Sequence, residues 1–280
     1  MTTFYISTRA RQRLRSVQEL LTQLDPEGEP RVVMVPGSPQ PRDSVIVFPG
    51  SFNPPTTAHL ALLKQAQQFA RLQHQPMYLY AAFSKRTIDK ETVERPLLQE
   101  RVLLLQEVLK KRLPHAGVLL FNRGLYVEQA QAIRQAFPGV RRIFFLMGFD
   151  KIVQILDPRY YDDRDAALGE LFQLADLLVA PRGDDGEGEL RALLQEPQNK
   201  RFARSIHPLP FSTNYRYISS SQIRQEEGLE ARDVPQEVRR FMRETRAYAP
   251  PLKHDRVEID YYAERVKQLE QLIKSARGGR

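Results

Sequence analysis

Short runs of apolar residues recur along the chain from residue 45 onward, and stretches with helical periodicity separate them. Six runs predict β-strands, at residues 45–48, 77–81, 118–121, 143–147, 177–180 and 205–209. Strands that alternate with helices indicate a parallel sheet with helices on both faces. We therefore expect a doubly wound α/β fold with a mainly parallel sheet. In such sheets ligands bind outside the carboxyl ends of the strands, where the strand order reverses.

The two ends of the chain carry patterns of their own. Residues 1–43 contain an amphipathic helix pattern and a short apolar run, RVVMV, and we expect them to pack as an extension on the main domain of residues 44–249. Residues 250–280 place apolar side chains at alternating spacings of three and four, which predicts an amphipathic C-terminal helix. Two heptads are too few for a coiled coil, so docking on the same chain is the main interpretation and dimerisation stays open.

Composition narrows the range of partners. Lys and Arg number 42 against 34 Asp and Glu, a net charge of +8, which favours anionic partners. No nucleic-acid-binding motif accompanies this charge, so we expect phosphorylated small molecules rather than nucleic acid. The chain has no cysteine, which excludes disulfides and thiolate metal sites. No apolar run reaches the roughly 18 residues that cross a bilayer, and the first residues lack a secretory signal, so we expect a cytoplasmic protein without membrane contact.

The first candidate site is the stretch VIVFPGSFNPPTTAHL, which begins at residue 45. An apolar strand runs into a turn at Gly50, and Thr56 or Thr57 then caps a helix. A helix start after a glycine turn can present backbone N–H groups and the positive end of the helix dipole to an anion, and His59 would lie beside it. Alone, the pattern fits an ordinary strand-to-helix connection equally well.

The second candidate site is YISSSQIRQEEGL, residues 217–229. Ser219 precedes Gln222 by three residues, as in a capping box, and Arg224 shares a helix face with Ser220. This arrangement predicts a second anion site with a fixed cation, although capping alone would explain the serines. Two helix starts at the first and last crossovers of one sheet could hold one polyphosphate, so we expect His59 and Arg224 to face a common cleft.

Together, GSFNPPTTAHL and ISSSQIR resemble the HxGH and ISSTxxR motifs of the nucleotidylyltransferase superfamily, and within it the nicotinamide and nicotinate mononucleotide adenylyltransferases. The resemblance extends from residue 45 to about residue 248 and implies their Rossmann-like fold. Thr56 occupies the position of the first histidine of HxGH, as in the eukaryotic branch of these enzymes, and Ala58 occupies the position of its glycine. In the second motif, Ser221 replaces the threonine of ISSTxxR. The resemblance implies catalytic roles for Thr56, His59 and Arg224.

The resemblance also implies a set of nucleotide-binding residues: Gly50, Ser51, Phe52, Gly148, Asp150, Ile218, Ser219, Ser220 and Ser221. Lys85 and Arg86, after the second strand, are the candidate basic contacts to phosphate. Family members often stack the pyridine ring on tryptophan, which this chain lacks, so Phe83, Tyr126 or Phe149 would have to replace it. No metal site on protein side chains is expected, since Mg²⁺ would bind mainly through the ATP phosphates.

The implied reaction moves AMP from ATP to the 5′-phosphate of nicotinamide or nicotinate mononucleotide (NMN or NaMN) and releases pyrophosphate. The attacking phosphate is already an anion, so positioning and charge stabilisation suffice and no general base is needed. Three alternatives stay open: a transferase of the superfamily with a phosphopantetheine, FMN or cytidylyl acceptor, a non-catalytic nucleotide sensor, and an RNA-binding module that uses the arginine-rich first helix. A homo-oligomer also stays open.

Overall fold

The computed structural model describes residues 7–73, 76–85, 95–181, 186–225, 232–254 and 257–274. Nine strands are assigned in this part of the chain: β1 Val32–Met34, β2 Asp43–Pro49, β3 Met77–Ser84, β4 Ala116–Phe121, β5 Val140–Gly148, β6 Asp176–Ala180, β7 Ile206–Pro208, β8 Leu252–His254 and β9 Val257–Ile259. Ten α-helices are assigned there: α1 Thr8–Thr22, α2 Thr57–Leu72, α3 Leu98–Arg112, α4 Tyr126–Ala136, α5 Phe149–Leu156, α6 Arg164–Leu174, α7 Gly186–Gln195, α8 Ser220–Gln225, α9 Gln236–Thr245 and α10 Tyr261–Lys274.

Strands β1 to β7 form one sheet in the order β1-β4-β3-β2-β5-β6-β7. All neighbours in it are parallel except β1, which pairs antiparallel with β4. The chain builds outward from β2 through β3 to β4, and then returns to the other side of β2 with β5. The strand order therefore reverses between β2 and β5, which is where ligands bind in open α/β sheets. The six predicted strands and the doubly wound fold are confirmed.

Helices cover both faces of the sheet because successive strand residues point to opposite sides. In β2, Ile46 and Phe48 join the core under α2 and α3, whereas Val45 and Val47 join the core under α4 and α6. This central strand is buried on both faces, as the continuous apolar run in its sequence predicts.

The N-terminal residues contact the sheet at its β4 edge. In addition to the β1–β4 pairing, the buried side-chain amide of Asn122, directly after β4, donates to the carbonyl oxygens of Asp25 at 2.6 Å and Glu29 at 2.8 Å. Helix α1 buries Leu14, Val17 and Leu21. These contacts attach residues 7–35 along one edge and one face of the sheet.

The C-terminal prediction is partly wrong. Residues predicted as the beginning of a helix form an antiparallel pair, β8 with β9, and the helix runs only from Tyr261 to Lys274. Pro250 and Pro251 lack the backbone N–H that a helix interior requires, and the β-branched Val257 and Ile259 favour extended backbone. None of the helices in the described part of the chain is long and apolar enough to cross a membrane.

Candidate functional site

A cleft of about 250 Å³ lies beyond the carboxyl ends of β2, β5 and β6, at the switch point of the sheet. Its walls come from the start of α2, the junction of β5 with α5, the end of β6, and the segment that leads into α8. The structure brings seven predicted site residues into this lining: Thr56, His59, Gly148, Asp150, Ile218, Ser219 and Ser220. His59 and the serines Ser219 and Ser220 of the second motif therefore line a common cleft, as expected, whereas Arg224 is not in its lining.

A reciprocal pair of hydrogen bonds fixes His59 at the start of α2. The backbone N–H of His59 donates to Thr56 Oγ1 at 3.2 Å, and the backbone N–H of Thr56 donates to His59 Nδ1 at 3.0 Å. This is a capping box in which the imidazole takes the part that Glu or Gln usually takes. Since Nδ1 accepts a hydrogen bond, the neutral ring carries its proton on Nε2.

The surroundings of His59 keep its ring uncharged. The imidazole is partly buried, and the rings of Phe52 and Phe48 lie 5.1 and 5.8 Å from it, centroid to centroid. Burial lowers the pKa of His59 to about 4. At neutral pH the side chain in the cleft therefore offers an Nε2–H donor without a net charge. Such a group binds a phosphate oxygen without proton transfer.

The backbone at the start of α2 is already engaged by the protein. The N–H of Thr57 donates to the carbonyl oxygen of Asp233 at 2.8 Å, and that of His59 is taken by Thr56. For these two groups, the prediction that the helix start offers its N–H donors to an anion is wrong. The imidazole of His59 takes their place as the donor that α2 presents to the cleft.

Gly50, Ser51 and Phe52 lie beside the cleft rather than in its lining. Phe52 is fully buried against Phe48, Phe83 and His59, with a backbone φ of 42°. A Cβ on Gly50 would come within 3.1 Å of the Phe52 ring, so Gly50 is required for this close approach rather than for a positive φ. The structure therefore places Gly50 and Phe52 behind the His59 ring, and none of the three predicted nucleotide contacts lines the cleft.

The second motif docks directly on the loop of the first. Arg224 donates from Nη1 to the carbonyl oxygen of Asn53 at 2.6 Å, and Ser220 Oγ donates to the carbonyl oxygen of Pro54 at 2.8 Å. Arg224 also donates from Nη2 to Ser221 Oγ at 3.1 Å. Arg224 and Ser221 thus lie next to the cleft and fix the start of α8 against residues 53–54.

Charge in the cleft comes from two residues of its described lining. Asp150, predicted from the resemblance, lies in the first turn of α5. Arg216 lies in the segment before α8, where its Nε donates to the carbonyl oxygen of Phe211 at 3.1 Å. Sequence reasoning missed Arg216. The available signal was its position two residues before the ISSS motif, which places it at the same helix start.

Two further predictions concern the basic residues after β3. The amine of Lys85 donates to the carbonyl oxygens of Leu21 at 3.1 Å, in the last turn of α1, and Leu24 at 2.7 Å, just after that helix. Lys85 is therefore a structural contact to the N-terminal residues, and its predicted role at the phosphates is wrong. Arg86 lies outside the described residues.

The three aromatic candidates for stacking on the pyridine ring differ in whether they line the cleft. Phe83 is buried beneath Phe52, and Tyr126 packs against Phe145 at 5.0 Å, so neither reaches the cleft lining. Phe149 does line the cleft, together with the exposed Tyr215, which sequence reasoning missed. These two rings can contact a planar base.

The donor set of the cleft suits a Mg²⁺ ion carried by phosphates. Within the described residues, no group of three or more His, Cys, Asp or Glu side chains could hold a metal ion by itself. Asp150 supplies one carboxylate to the lining. Mg²⁺ commonly binds through one or two carboxylates together with phosphate oxygens and waters, so Asp150 fits that pattern.

The fold and the docked pair of motifs define a protein of the nucleotidyltransferase class of enzymes. The chain belongs to the cytidylyltransferase-like family, whose model matches residues 47–226. That range contains both motifs, the end of β2 and all of β3 to β7, so the whole cleft lies inside it.

Two known proteins are similar to the chain. A Schizosaccharomyces pombe protein, provisionally named nicotinamide mononucleotide adenylyltransferase, is 28% identical over 147 residues, covering 51% of this chain and 55% of that protein. The chain therefore spans about half the length of this curated relative. The Plasmodium falciparum nicotinic acid mononucleotide adenylyltransferase, solved in complex with NaAD, superimposes with a TM-score of 0.53 at 14% identity, over 74% of this chain and 98% of that one. The second likeness bears on the fold alone.

Proposed function

We propose that the protein transfers AMP from ATP to the 5′-phosphate of NMN or NaMN and releases pyrophosphate. The observation that carries this proposal is the shared cleft: the His59 ring and the start of α8 line one cavity at the switch point of the sheet. Family membership supports the reaction class. The names of the two relatives, one for each pyridine mononucleotide, support the acceptor.

In this reaction an oxygen of the acceptor phosphate attacks the α-phosphorus of ATP. The bond from that phosphorus to the oxygen bridging to the β-phosphate breaks, and pyrophosphate leaves with the electron pair. The attacking group is an anion near neutral pH, so no side chain has to remove a proton. The residues instead hold the reactants in line and stabilise the charge that moves to pyrophosphate.

Each group in the cleft has a role that follows from its geometry. The Nε2–H of His59 donates to a phosphate oxygen, with Thr56 holding the ring in that tautomer. Arg216 supplies positive charge to the lining, while Arg224, the predicted catalytic cation, holds the start of α8 beside the phosphates and adds its charge there. Ser219 and Ser220 also line the cleft.

The β5–α5 junction serves the nucleoside. Gly148 leaves open space in the lining, since a Cβ there would meet no atom within 4 Å. Asp150 accepts hydrogen bonds from ribose hydroxyls or binds Mg²⁺ carried by the triphosphate, which would supply charge neutralisation to the phosphates. Phe149 or Tyr215 contacts the acceptor ring.

The test measures pyrophosphate release by the purified full chain with ATP and, in turn, NMN, NaMN, FMN and phosphopantetheine, and repeats each with CTP as donor. We expect release with ATP and a pyridine mononucleotide. Release only with FMN or only with phosphopantetheine would reassign the acceptor within the superfamily. Release only with CTP would reassign the donor. ATP binding without pyrophosphate release from any pair would identify a nucleotide sensor and overturn the proposal.

A further inference from the structure

We propose that the C-terminal helix α10, outside the residues that the family model matches, positions the loop of the first motif through Asp260, which directly precedes and caps it, and through Arg95 and Asn53. Only the kinetic test of this inference rests on the proposed function. The NMR resonances of the His59 ring test it without any substrate.

Asn53 is the point where three segments meet. Its side chain is 1% exposed, and its amide donates from Nδ2 to the carbonyl oxygen of Arg95 at 3.1 Å. The hydroxyl of Tyr248 donates to Asn53 Oδ1 at 2.7 Å, and Arg224 donates to the Asn53 carbonyl oxygen at 2.6 Å. Because Asn53 lies three residues before Thr56, these bonds determine where the capping box of His59 stands. A buried amide with both ends engaged permits little freedom.

Arg95 carries this connection to the C-terminal residues. Its guanidinium makes a two-point contact with the carboxylate of Asp260, Nη1 to Oδ2 at 2.6 Å and Nη2 to Oδ1 at 2.9 Å. The guanidinium also lies 4.9 Å from the centre of the Tyr262 ring. A bidentate pair fixes orientation as well as distance, so Asp260 holds in place the side chain of the residue whose backbone carbonyl Asn53 binds.

A second contact fixes the same region from α10. Glu100, near the start of α3, is 4% exposed and accepts hydrogen bonds from the Tyr262 hydroxyl at 2.5 Å and from Arg265 Nε at 2.9 Å. The Tyr262 hydroxyl also accepts from the backbone N–H of Leu97 at 2.7 Å. The start of α3 is therefore held by partners on α10, and a buried carboxylate deprived of them would be strongly disfavoured.

Arg101 links this fixed region back to the first motif. It follows Glu100 in α3, is 8% exposed, and donates from Nη1 to the carbonyl oxygen of Ser51 at 3.0 Å. Residues 51 and 53 are thus held by Arg101 and Arg95, and both of these lie where α10 packs. Asn53, Arg95 and Asp260 are positioning residues, since they act on the site through His59 and Arg224.

The direct test compares Asp260→Asn with wild-type protein. Loss of the bidentate ion pair should shift the ¹H and ¹⁵N resonances of the His59 ring, although Asp260 lies outside the cleft lining. In turnover it should lower kcat about 10-fold, with a smaller change in KM, because displacement of a positioned group costs rate more than binding. The matched control is Glu264→Gln, which removes an exposed ion pair with Lys267 on the same helix and should change neither readout.

A second variant tests the same connection from its other end. Asn53→Asp replaces the amide donor to the Arg95 carbonyl by a carboxylate of nearly the same shape. If α10 acts through Asn53, the variant that carries both Asp260→Asn and Asn53→Asp should lower kcat by a much smaller factor than the product of the factors for the two single variants. Two results would show that α10 only stabilises the fold. In one, the effects of the two substitutions on kcat multiply independently. In the other, Asp260→Asn keeps the wild-type His59 resonances and kcat but has a lower Tm. If no mononucleotide is turned over, the proposed function fails, and the His59 resonances still decide this inference.

Discussion

Arg224 Nη1 lies 2.6 Å from the backbone carbonyl oxygen of Asn53, a residue 171 positions earlier in the chain. With the Ser220–Pro54 hydrogen bond, this contact joins the two motifs into one unit. The arginine of the second motif thus has a structural use in addition to its predicted one at the phosphates. A variant of Arg224 would disturb the first motif as well, so its kinetic effect cannot be attributed to lost phosphate binding alone.

Substitution of His59 by alanine should lower kcat about 100-fold or more, because it removes a preorganised donor from the cleft. Thr56 Oγ1 would still cap the backbone N–H of residue 59, so the fold should persist. Pyrophosphate release with ATP and NMN, together with circular dichroism, checks both points. The control is His115→Ala at an exposed position, which should behave as wild type; near-wild-type turnover by His59→Ala would contradict the assigned role.

Burial lowers the pKa of His59 to about 4, whereas a histidine in the unfolded chain titrates near 6.5. The unfolded state therefore binds the proton first as the pH falls. Stability from the neutral ring is fully present above about pH 6.5 and is lost as the pH falls through about 4. Urea unfolding between about pH 7.5 and about pH 4.5 should show a steeper loss of stability for the wild type than for His59→Ala. Equal pH slopes would rule out the lowered pKa.

Substitution of Gly50 by alanine should lower both stability and activity. The new Cβ would come within 3.1 Å of the Phe52 ring, which has no room to move because Phe48, Phe83 and His59 surround it. Crowding of this kind typically costs about 1–3 kcal/mol. The matched control is Gly169→Ala in α6, where a Cβ meets no atom within 4 Å and should stabilise the helix by about 0.5–1 kcal/mol. Thermal unfolding and turnover of the two variants separate the effects; similar behaviour of both would refute the crowding.

Replacement of Arg216 by glutamine should raise KM for ATP or for the mononucleotide by about 10-fold or more, since a hydrogen bond to a charged group contributes about 1.5–3 kcal/mol. Lysine at this position should restore part of the affinity, as it keeps the charge without the planar fork. Arg159→Gln is the control, because that guanidinium is 83% exposed and pairs with Asp157. Unchanged KM values for both substrates in Arg216→Gln would remove Arg216 from the binding site.

The fold was predictable because strand burial leaves a direct trace in the sequence. The apolar runs of β2, β3, β5 and β6 fall inside strands buried on both faces. The alternation of strands with helices predicts a doubly wound, mainly parallel sheet. The position of the cleft follows from that arrangement. His59 and the serines at the start of α8 were found because they stand at helix starts, and Asp150 was found through the family resemblance.

The remaining features depend on contacts between distant parts of the chain. The amine of Lys85 turns to carbonyls near the end of α1, and Asn53 connects to Arg95, Tyr248 and Arg224; no local spacing encodes either set. The sequence predicts a turn at Gly50, but the positive φ in this loop belongs to Phe52. Local sequence identifies residues able to contact a ligand, and packing decides which of them do.

The short antiparallel strand β1 has a consequence for protein engineering. By pairing with β4 it occupies the backbone donors and acceptors on that side of the sheet. A truncated version that starts at residue 44 would leave them unpaired on a flat, apolar strand, which is a surface prone to recruit other chains. Such a shortened protein should precipitate during expression even if its cleft forms, so truncation for crystallisation should retain β1.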